Sequence, residues 1–504
     1  MDSMMTMRPL WAISVSMVAS VLILLTGQRH ANLRETWTFL AAILKFALVL
    51  SLLPDVAVQT PVESLRFELL SGIDFHLRVD RFGLIFALLA SGLWILTSLY
   101  SVGYLRGGHY THQTGYFACF AVCVSAALGI AFSANLLTFF IFYEILTLAT
   151  YPLVIHDRTA EAIASGRKYL AFTLSAGQML LLATVWTHFL KPGATFQPGG
   201  FLPLNTASGI IICLFALFVL GVGVKAAIMP LHSWLPAAMV APTPVSALLH
   251  AVAVVKAGTF GVVRVVHYVF GIELLHLLRL DVILASVAAA TIIIASIRAL
   301  GETNLKRRLA YSTVSQLSYI VLGAALASTT AVAGAMFHIV AHGFMKITLF
   351  FCAGAIYIKT HKLEIPDLAG LGRQMPITFG AFTLGALGLA GMPLCVGFIS
   401  KWNLGLGALQ AGHAVFLVVL VTSGLLNFAY FFPVVYSAFF GQPGKQIPFA
   451  EASASMWVPL AVTAVISIIL GVYPNTGPAF YELAWRAAEG VMSNATHLFA
   501  GAAP

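Results

Sequence analysis

The sequence predicts an all-α, polytopic membrane protein with about 14 transmembrane helices. Of its 504 residues, 60% are hydrophobic and only 9% are charged, far fewer charges than the surface of a soluble protein needs. Apolar runs of about 20 residues recur along most of the chain, and a helix of that length crosses a bilayer. Membrane β-barrels are excluded because their strands alternate in shorter segments. No polar linker divides the chain, so residues 1–504 are treated as one transmembrane domain.

The predicted spans follow one another with short loops between them. The widest polar stretches, about residues 58–80, 191–207 and 441–454, are interpreted as loops. The first apolar run lacks the usual small-residue cleavage site, so it is interpreted as a retained span and not as a signal peptide. The approximate span cores are residues 9–26, 36–57, 82–104, 115–132, 134–155, 168–190, 208–228, 243–270, 281–300, 309–326, 330–358, 376–411, 414–440 and 455–473.

Basic residues give the predicted orientation. They concentrate in the loops that follow odd-numbered spans, as in the run Lys306, Arg307 and Arg308. The positive-inside rule makes those loops cytoplasmic, and an even number of spans then leaves both termini on the outer side. The net charge of +9 is attributed to basic loops beside anionic lipid and not to nucleic-acid binding. We expect the chain to lie in the inner membrane of a bacterium.

Cofactor signals are missing from the sequence. The five cysteines all fall in apolar runs and form no CxxC pair, so they are interpreted as buried free thiols and not as ligands of an iron–sulfur cluster or structural zinc. There is no P-loop, no GxGxxG motif after a strand and no clear haem ligand set. We therefore expect no cofactor, no metal and no catalytic redox centre in this chain. Energy would have to come from an ion gradient or from a partner subunit.

Two spans carry glycine and proline clusters in corresponding positions. The eighth begins APTPVSALLHAVAVVKAGTFG, with Pro242 and Pro244, and the twelfth contains LGLAGMPLCVGFISKW, with Gly391 and Pro393. Such clusters predict broken helices around a site near the middle of the membrane. The spacing also suits an inverted repeat of two five-helix units, at about residues 115–270 and 281–440.

Glu144 and Lys225 are the charges that most need an explanation. Glu144 is the only carboxylate in the fifth span, and Lys225 is the only strongly basic residue in the seventh. A charge at bilayer depth costs a few kcal/mol and usually marks an ion or proton path. We predict a buried ion pair between the two, because a buried lysine that gains and loses a carboxylate partner can take up and release a proton.

Further ionisable residues follow in the interrupted region. His232 and His250 flank the prolines at the start of the eighth span, and Lys256 follows within that span. Histidine titrates near physiological pH and can relay protons in either direction, so we predict that both histidines belong to a proton relay around Lys256. The competing interpretation is that each histidine only hydrogen-bonds a neighbouring helix.

The eleventh span carries His338, His342 and Lys346 at four-residue spacing, which places all three on one helix face. No HExxH motif is present, so a hydrated relay is predicted here in preference to a zinc site. Lys401 follows the break in the twelfth span and is predicted to take part in proton translocation. The alternative for Lys401 is that its side chain extends to the membrane surface.

The segment GVGVKAAIMPLHSWLPAAMVAPTPVSALLHAVAVVKAG at residues 221–258 resembles the signature of the proton-conducting antiporter family. That family includes the A and D subunits of Mrp-type cation/proton antiporters. It also includes the antiporter-like subunits of respiratory complex I and of membrane-bound hydrogenases. The resemblance extends over at least residues 80–440.

This resemblance implies 14 spans, two inverted five-helix units, breaks in the seventh or eighth and the twelfth helices, and a polar axis along the membrane plane. It assigns the family's proton-path residues to positions of this chain: Glu144, Lys225, Lys256, His338, His342 and Lys401. It also implies that other membrane subunits of the same complex are partners, and that protons and monovalent cations are transported.

A lysine at 401 makes the chain similar to the D-type subunits of Mrp antiporters, although Met392 and Cys395 depart from the commoner pattern near that break. The resemblance therefore favours a Na⁺/proton antiporter subunit. Alternatives are a proton-pumping subunit of NADH-quinone oxidoreductase or of a membrane-bound hydrogenase, and a subunit of an inorganic-carbon uptake system. A subunit that contacts quinone directly and a solute carrier acting alone are weaker alternatives, because the sequence contains neither a clustered set of tyrosines nor a carboxylate-rich sodium site.

Overall fold

A computed structural model describes residues 4–58, 61–70, 72–442 and 449–493. Within these ranges, 11 helices are long and apolar enough to cross a membrane, which confirms the predicted polytopic all-α class. The two chain ends, to which the predicted outer location of the termini refers, lie outside the described residues.

The helical bounds agree closely with the predicted spans. Asparagine, aspartate and threonine caps begin several helices, as where Asn135 accepts a hydrogen bond from Thr138 N at 2.8 Å. The helices are α1 Arg8–Thr26, α2 Ala31–Leu50, α3 Leu53–Ala57, α4 Arg81–Gly107, α5 Gln113–Ala131, α6 Leu136–Val154, α7 Ala160–Leu190, α8 Ser208–Gly223, α9 Trp234–Ala237, α10 Thr243–Ala247, α11 Val254–Arg264, α12 Ile272–Leu277, α13 Leu280–Gly301, α14 Leu305–Ala325, α15 Thr329–Thr360, α16 Pro376–Ala390, α17 Val396–Gln410, α18 Ala414–Phe440, α19 Ala454–Val472 and α20 Phe480–Met492.

A small sheet replaces the first predicted loop. Strands β1 (Met4–Met5), β2 (Val62–Leu70) and β3 (Ile73–Val79) form a three-stranded sheet in that order, in which β1 pairs with β2 in parallel and β2 pairs with β3 in antiparallel. The interpretation of residues 58–80 as a loop was therefore wrong for the two strands. The alternation in IDFHLRV was the available signal, since alternating apolar and polar residues are typical of a half-buried strand.

Because successive spans run in opposite directions, their ends fall on two faces. The sheet face carries β1 to β3 and the start of α4, and residue 196 is joined there to 134 by a backbone hydrogen bond. The opposite face, called here the loop face, joins the 302–305 turn to residues 363–365 by backbone hydrogen bonds. Basic loops predicted to be cytoplasmic lie on the loop face.

The predicted breaks are present. The seventh span is helical to Gly223, and residues 224–233 then run without regular helix to α9. The eighth span is divided into α10, a π-helical turn at Leu248–Val252, α11 and a second π-helical turn at Val265–Phe270. In the twelfth span the chain leaves the helix between α16 and α17, where Gly391 has φ +94°, a conformation that glycine adopts without strain.

The centre of the molecule is formed by α15 and the eighth span, whose apolar windows are completely buried. Close backbone packing holds the seventh and eighth spans together, because a Cβ atom at Gly258 would overlap the backbone of Ala226. Three of the predicted thiols are buried, but Cys119 is half-buried and Cys213 is exposed. Cys213 departs from the prediction because it lies on the outward-facing side of α8. An apolar helix surface of this kind faces lipid in a membrane.

Candidate functional site

Lys225 occupies the break of the seventh span and is completely buried. Its Nζ donates a hydrogen bond to the backbone carbonyl of Tyr143 at 2.5 Å and lies 3.3 Å from the centroid of the Tyr143 ring. An ammonium over the face of an aromatic ring is stabilised by the ring quadrupole, more strongly when both are desolvated. Tyr143 precedes Glu144 on α6, so one short segment presents a carbonyl, a ring and a carboxylate near the amine.

The predicted direct ion pair between Glu144 and Lys225 is not formed. Within the described residues, no carboxylate is in salt-bridge contact with Lys225, and Glu144 Oε1 has no hydrogen-bond partner. The carboxylate instead lies beside Gly177 of α7, although the two charges still interact electrostatically. The prediction failed because it assumed a carboxylate contact, whereas the carbonyl and ring of Tyr143 occupy the space next to Nζ.

Lys256 and His342 form the first contact of a second group of residues. Both are completely buried, and Lys256 Nζ lies 2.7 Å from His342 Nδ1. Lys256 is on α11, shortly after the break at Ala253, while His342 is on α15. An ammonium has only donors and a neutral imidazole nitrogen can accept, so a proton can be shared along this contact.

His338 lies on the same face of α15 as His342, one turn earlier in the helix. Its ring centroid is 6.1 Å from that of His342. Its Nδ1 lies 2.8 Å from Ser400 Oγ and its Nε2 lies 3.1 Å from Gln316 Oε1. The predicted four-residue spacing therefore brings His338 and His342 together, and His338 has a polar partner at each ring nitrogen.

The ring of Tyr319 lies between His338 and Lys401. The Tyr319 and His338 ring centroids are 5.6 Å apart, and Lys401 Nζ lies 4.9 Å from the Tyr319 centroid. Lys401 donates a hydrogen bond to the carbonyl of Leu389, which the break between α16 and α17 leaves without its helical partner. The Lys401 amine points into the helix break and not toward the membrane surface. We call the residues Lys256, His342, His338 and Lys401 the lysine–histidine row.

Lys346 starts a side branch one turn further along α15. Its Nζ donates to Ser312 Oγ at 3.0 Å and to the carbonyl of Leu309 at 3.2 Å. Tyr430 on α18 donates its single hydroxyl hydrogen to Asn427 Oδ1, and its oxygen lies 3.1 Å from Ser312 Oγ, which can donate to it.

The branch ends beside Lys401. Asn427 Nδ2 donates to the carbonyl of Leu389 at 3.2 Å, the same oxygen that accepts from Lys401. Lys346 and Lys401 are therefore connected by buried polar groups of three helices. This branch positions charges near one another, but a shared carbonyl cannot itself pass on a proton.

The two histidines predicted around Lys256 have different surroundings. His250 is completely buried, its ring lies 4.7 Å from that of Phe350, and neither ring nitrogen has a hydrogen-bond partner among the described residues. It interacts electrostatically with Lys306 and Lys346. His232 is half-buried and lies 6.1 Å from the Tyr311 ring. Neither histidine makes a hydrogen bond to Lys256.

A cavity of 680 Å³ opens on the loop face. Its polar lining includes Asp157, Glu161, Lys168 and Lys306. Lys306, which the sequence placed in a loop, is buried and donates to the carbonyl of Ala241 at 2.6 Å. Asp157 lies in the loop after α6, where burial raises the pKa of its carboxyl and the charge of Lys306 lowers it to a smaller extent. We call this cavity the vestibule.

Several site residues were missed in the sequence. Tyr143, Tyr430 and Asn427 are uncharged, so nothing in a single sequence separates them from ordinary packing residues. Arg264 and Lys45, which lie outside this site, did carry a signal, because each is a charge within an apolar span. Arg264 forms a buried ion pair with Asp80, and Lys45 is hydrogen-bonded to Ser16.

A family model described as "NADH:quinone oxidoreductase/Mrp antiporter, TM" matches residues 133–427, which include every predicted site residue. The chain belongs to the NADH:quinone oxidoreductase/Mrp antiporter family. This finding confirms the resemblance noted in the sequence, and it makes the chain an antiporter-like membrane protein. The individual roles of the site residues and the inverted repeat at 115–270 and 281–440 stay predictions.

Relatives in this family come from both of its branches. The chain is 34% identical to "NADH-quinone oxidoreductase subunit N" of Desulforudis audaxviator, over 79% of this chain and 84% of that protein. It is 32% identical to "Na(+)/H(+) antiporter subunit A1" of Staphylococcus haemolyticus, over 88% of this chain but only 58% of that longer protein. A chain in the structure of the Mrp complex from Dietzia sp. DQ12-45-1b has a TM-score of 0.86 at 22% identity and covers 98% of both chains. This chain therefore has the same fold as that chain of the Mrp complex.

Proposed function

We propose that this chain is the proton-translocating subunit of a multisubunit membrane complex, and that it acts as the D-type subunit of a Mrp-type Na⁺/proton antiporter. The observation that carries the proposal is the lysine–histidine row. Buried ionisable side chains within reach of one another are what a proton path through a membrane requires. Other membrane subunits are the proposed partners, and protons and monovalent cations are the proposed cargo.

The proposed path begins in the vestibule. A proton enters there, passes His250 and reaches Lys256, and then moves through His342 and His338 to Lys401, from which it leaves toward the sheet face. The Glu144–Lys225 pair controls this movement, because the approach of the carboxylate stabilises charged Lys225 and its withdrawal favours the neutral amine. A neighbouring subunit would drive the approach and withdrawal.

The test is Na⁺-driven proton movement in everted membrane vesicles from cells that produce the full complex. A pH-sensitive dye should report exchange with the wild-type chain, and Lys256→Met should abolish it while the complex still assembles. Exchange at the wild-type rate with Lys256→Met would refute the proposed path.

A second candidate is a proton-pumping subunit of an NADH-quinone oxidoreductase. It is favoured by the alignment with the D. audaxviator protein, which extends over 84% of that protein at 34% identity. The two candidates differ in their energy source. Na⁺/proton exchange without NADH or quinone supports the antiporter, whereas proton uptake that requires both supports the oxidoreductase.

The proposed orientation places the vestibule in the cytoplasm of a bacterium and both termini on the outer side of the inner membrane. In a chain whose native cysteines are replaced, Thr159→Cys marks the vestibule and Gln197→Cys marks the sheet face. A membrane-impermeant thiol reagent added to intact cells should label residue 197 and not residue 159. The reverse pattern would invert the orientation.

A further inference from the structure

A second cavity, of 240 Å³, lies on the sheet face and is separate from the lysine–histidine row. It is bordered by the end of β3, the start of α4, the segment 196–198, the end of the eighth span and one side of α20. The lining contains three arginines, Arg78, Arg81 and Arg486, but one acidic residue, Asp80. The cavity therefore has an excess of positive charge.

The carboxylate of Asp80 is already engaged. Both of its oxygens accept hydrogen bonds from the Arg264 guanidinium, and Oδ1 also accepts from Gly83 N at 2.7 Å as the cap of α4. Arg264 is 2% exposed and its guanidinium carbon lies 4.4 Å from the Tyr268 ring centroid. Burial raises the pKa of Asp80, but the Arg264 charge and hydrogen bonds outweigh burial and lower that pKa. Asp80 is thus engaged mainly by Arg264, and it makes no salt bridge to Arg78 or Arg81 within the described residues.

Arg78 and Arg81 have no carboxylate in salt-bridge contact among the residues that the structure describes. Arg78 donates to the carbonyl of Phe196. Arg81 donates to the carbonyl of Ala57 at 3.3 Å, and its buried Nε has no partner. Burial lowers the pKa of Arg78, and the nearby Arg264 charge adds to that effect while Asp80 opposes it. Two guanidiniums are therefore held at one cavity with spare donors.

The nearby acidic side chains lie outside the cavity, although Glu63 acts on the charge of Arg78 from a distance. Glu63, which is paired with Arg78 across the sheet, lies 3.7 Å from His76 Nε2. Glu482 forms a salt bridge of 2.6 Å with Arg486, and Glu489 accepts a hydrogen bond of 2.8 Å from Trp485. None of these three carboxylates lines the cavity.

Apolar residues complete the cavity wall. Val56, Pro61, Phe196 and Pro198 lie beside the guanidiniums, and the cavity sits where several spans begin or end, which is the height of lipid headgroups. An arginine fork matches the geometry of a phosphate group and binds it with two parallel hydrogen bonds. An apolar wall beside that fork suits the glycerol and the first carbons of a lipid.

We propose that this cavity binds a phosphate group through Arg78 and Arg81, and that the phosphate belongs to the headgroup of an anionic phospholipid. Inorganic phosphate has the same binding chemistry and would be the source if no lipid is involved. The proposal does not rest on the proposed function, because no residue of the cavity belongs to the lysine–histidine row.

The test is lipid binding to the full chain, purified in a neutral detergent, by native mass spectrometry. Phosphatidylglycerol should bind and phosphatidylcholine should bind much less. Arg78→Gln/Arg81→Gln should weaken phosphatidylglycerol binding about thirtyfold, since each basic side chain at a lipid surface contributes roughly fivefold. Arg66→Gln is the matched control. It lies on β2, is 62% exposed and pairs with Asp74, so its loss should leave binding unchanged.

Equilibrium binding of radiolabelled inorganic phosphate separates the two sources. If phosphate binds to the wild type but not to the double variant, and phosphatidylglycerol binds to neither, the phosphate site stands and the lipid source is refuted. Unchanged phosphatidylglycerol binding in the double variant refutes the site. Should the double variant fail to fold, Arg81→Gln alone is expected to weaken binding about fivefold, and an unchanged affinity there refutes the proposal equally.

Discussion

Lys225 and Lys256 are both completely buried lysines in neighbouring interrupted spans, but their surroundings differ. Lys225 contacts a carbonyl and an aromatic ring, and its acidic counterpart Glu144 stands apart with one oxygen unpartnered. Lys256 contacts an imidazole at 2.7 Å, which leads on to a second imidazole and to Lys401. Lys225 thus has an oppositely charged residue nearby without direct contact, whereas Lys256 is in direct contact with an imidazole.

In the proposed function, the region around Glu144 and Lys225 controls proton movement, and the region of the lysine–histidine row conducts protons. A lysine whose carboxylate can approach or withdraw changes its affinity for a proton without passing the proton on. A lysine in contact with titratable neutral groups can pass a proton on at small cost, because each neighbour can both accept and donate. No hydrogen bond within the described residues connects Lys225 to Lys256, so the two regions would influence each other through charge and through the close backbone contact at Gly258.

After Lys256→Met, which should abolish exchange, the largest effect is expected from a change at Lys225. Lys225→Met should lower Na⁺-driven proton exchange at least about a hundredfold, the scale on which a positioned proton-transfer group contributes. Lys225→Arg should fail too, because arginine keeps its charge at physiological pH and cannot store and release a proton. The measurement is the initial rate of exchange in everted vesicles, normalised to assembled complex.

Lys45→Met provides the matched control for that experiment. Lys45 is also completely buried, but it contacts Ser16 and the ring of Trp94 and lies apart from the row. Its replacement should leave the rate per assembled complex unchanged. Activity of Lys225→Arg at the wild-type rate would contradict the role of Lys225 as a proton store and make it a fixed charge.

The second region is tested by His342→Gln. Glutamine can still accept a hydrogen bond from Lys256 but does not titrate, so folding should be preserved while exchange falls about tenfold to a hundredfold. Both variants should lower the rate of exchange, and His342→Gln should lower it less than Lys225→Met does. Rates are measured in the same vesicles, with thermal unfolding as the check on folding. A rate equal to that of the wild type would mean that protons do not pass through His342.

The contrast between these regions also marks what the sequence could predict. Apolar run lengths and the Pro393 cluster predicted the spans and the twelfth-span break, because hydrophobic length and missing backbone donors act locally. The face shared by His338, His342 and Lys346 followed from helical periodicity alone.

Contacts between distant segments could not be predicted in this way. The direct Glu144–Lys225 ion pair was wrong because opposite charges in different spans do not fix which side chain fills the space between them, and here Tyr143 does. Tyr430 and Asn427 were missed because their roles depend on how α18 packs against α14 and α16. The sheet was missed because its charged residues are typical of a loop and because β2 pairs with β3 through register shifts that interrupt a regular alternation.

A smaller effect is expected from Tyr430→Phe, which sharpens the account of the second region. The change removes the hydroxyl that joins Ser312 to Asn427 and leaves a buried amide oxygen unpaired, at about 1–3 kcal/mol. Because the branch only positions Lys346 and Lys401, exchange should fall about threefold. Tyr436→Phe on the same helix is the control, since Tyr436 is 57% exposed. A hundredfold loss with Tyr430→Phe would place Tyr430 in the proton path itself.

The smallest effect is expected from Gly177→Ala, which acts on the position of the Glu144 carboxylate. An added Cβ would overlap Glu144 Oε1, so the carboxylate, which is the free end of a flexible side chain, must move. Because alanine favours helix α7 over glycine by about 1 kcal/mol, the net loss of stability should stay under about 1 kcal/mol. Exchange should change about twofold, because the distance between the two charges of the pair is altered while both are kept. Gly209→Ala, in the first turn of α8, where an added Cβ meets no atom within 4 Å, should leave the rate unchanged. If Gly177→Ala keeps the fold and leaves the rate identical to that of Gly209→Ala, the position of the carboxylate is not what controls Lys225.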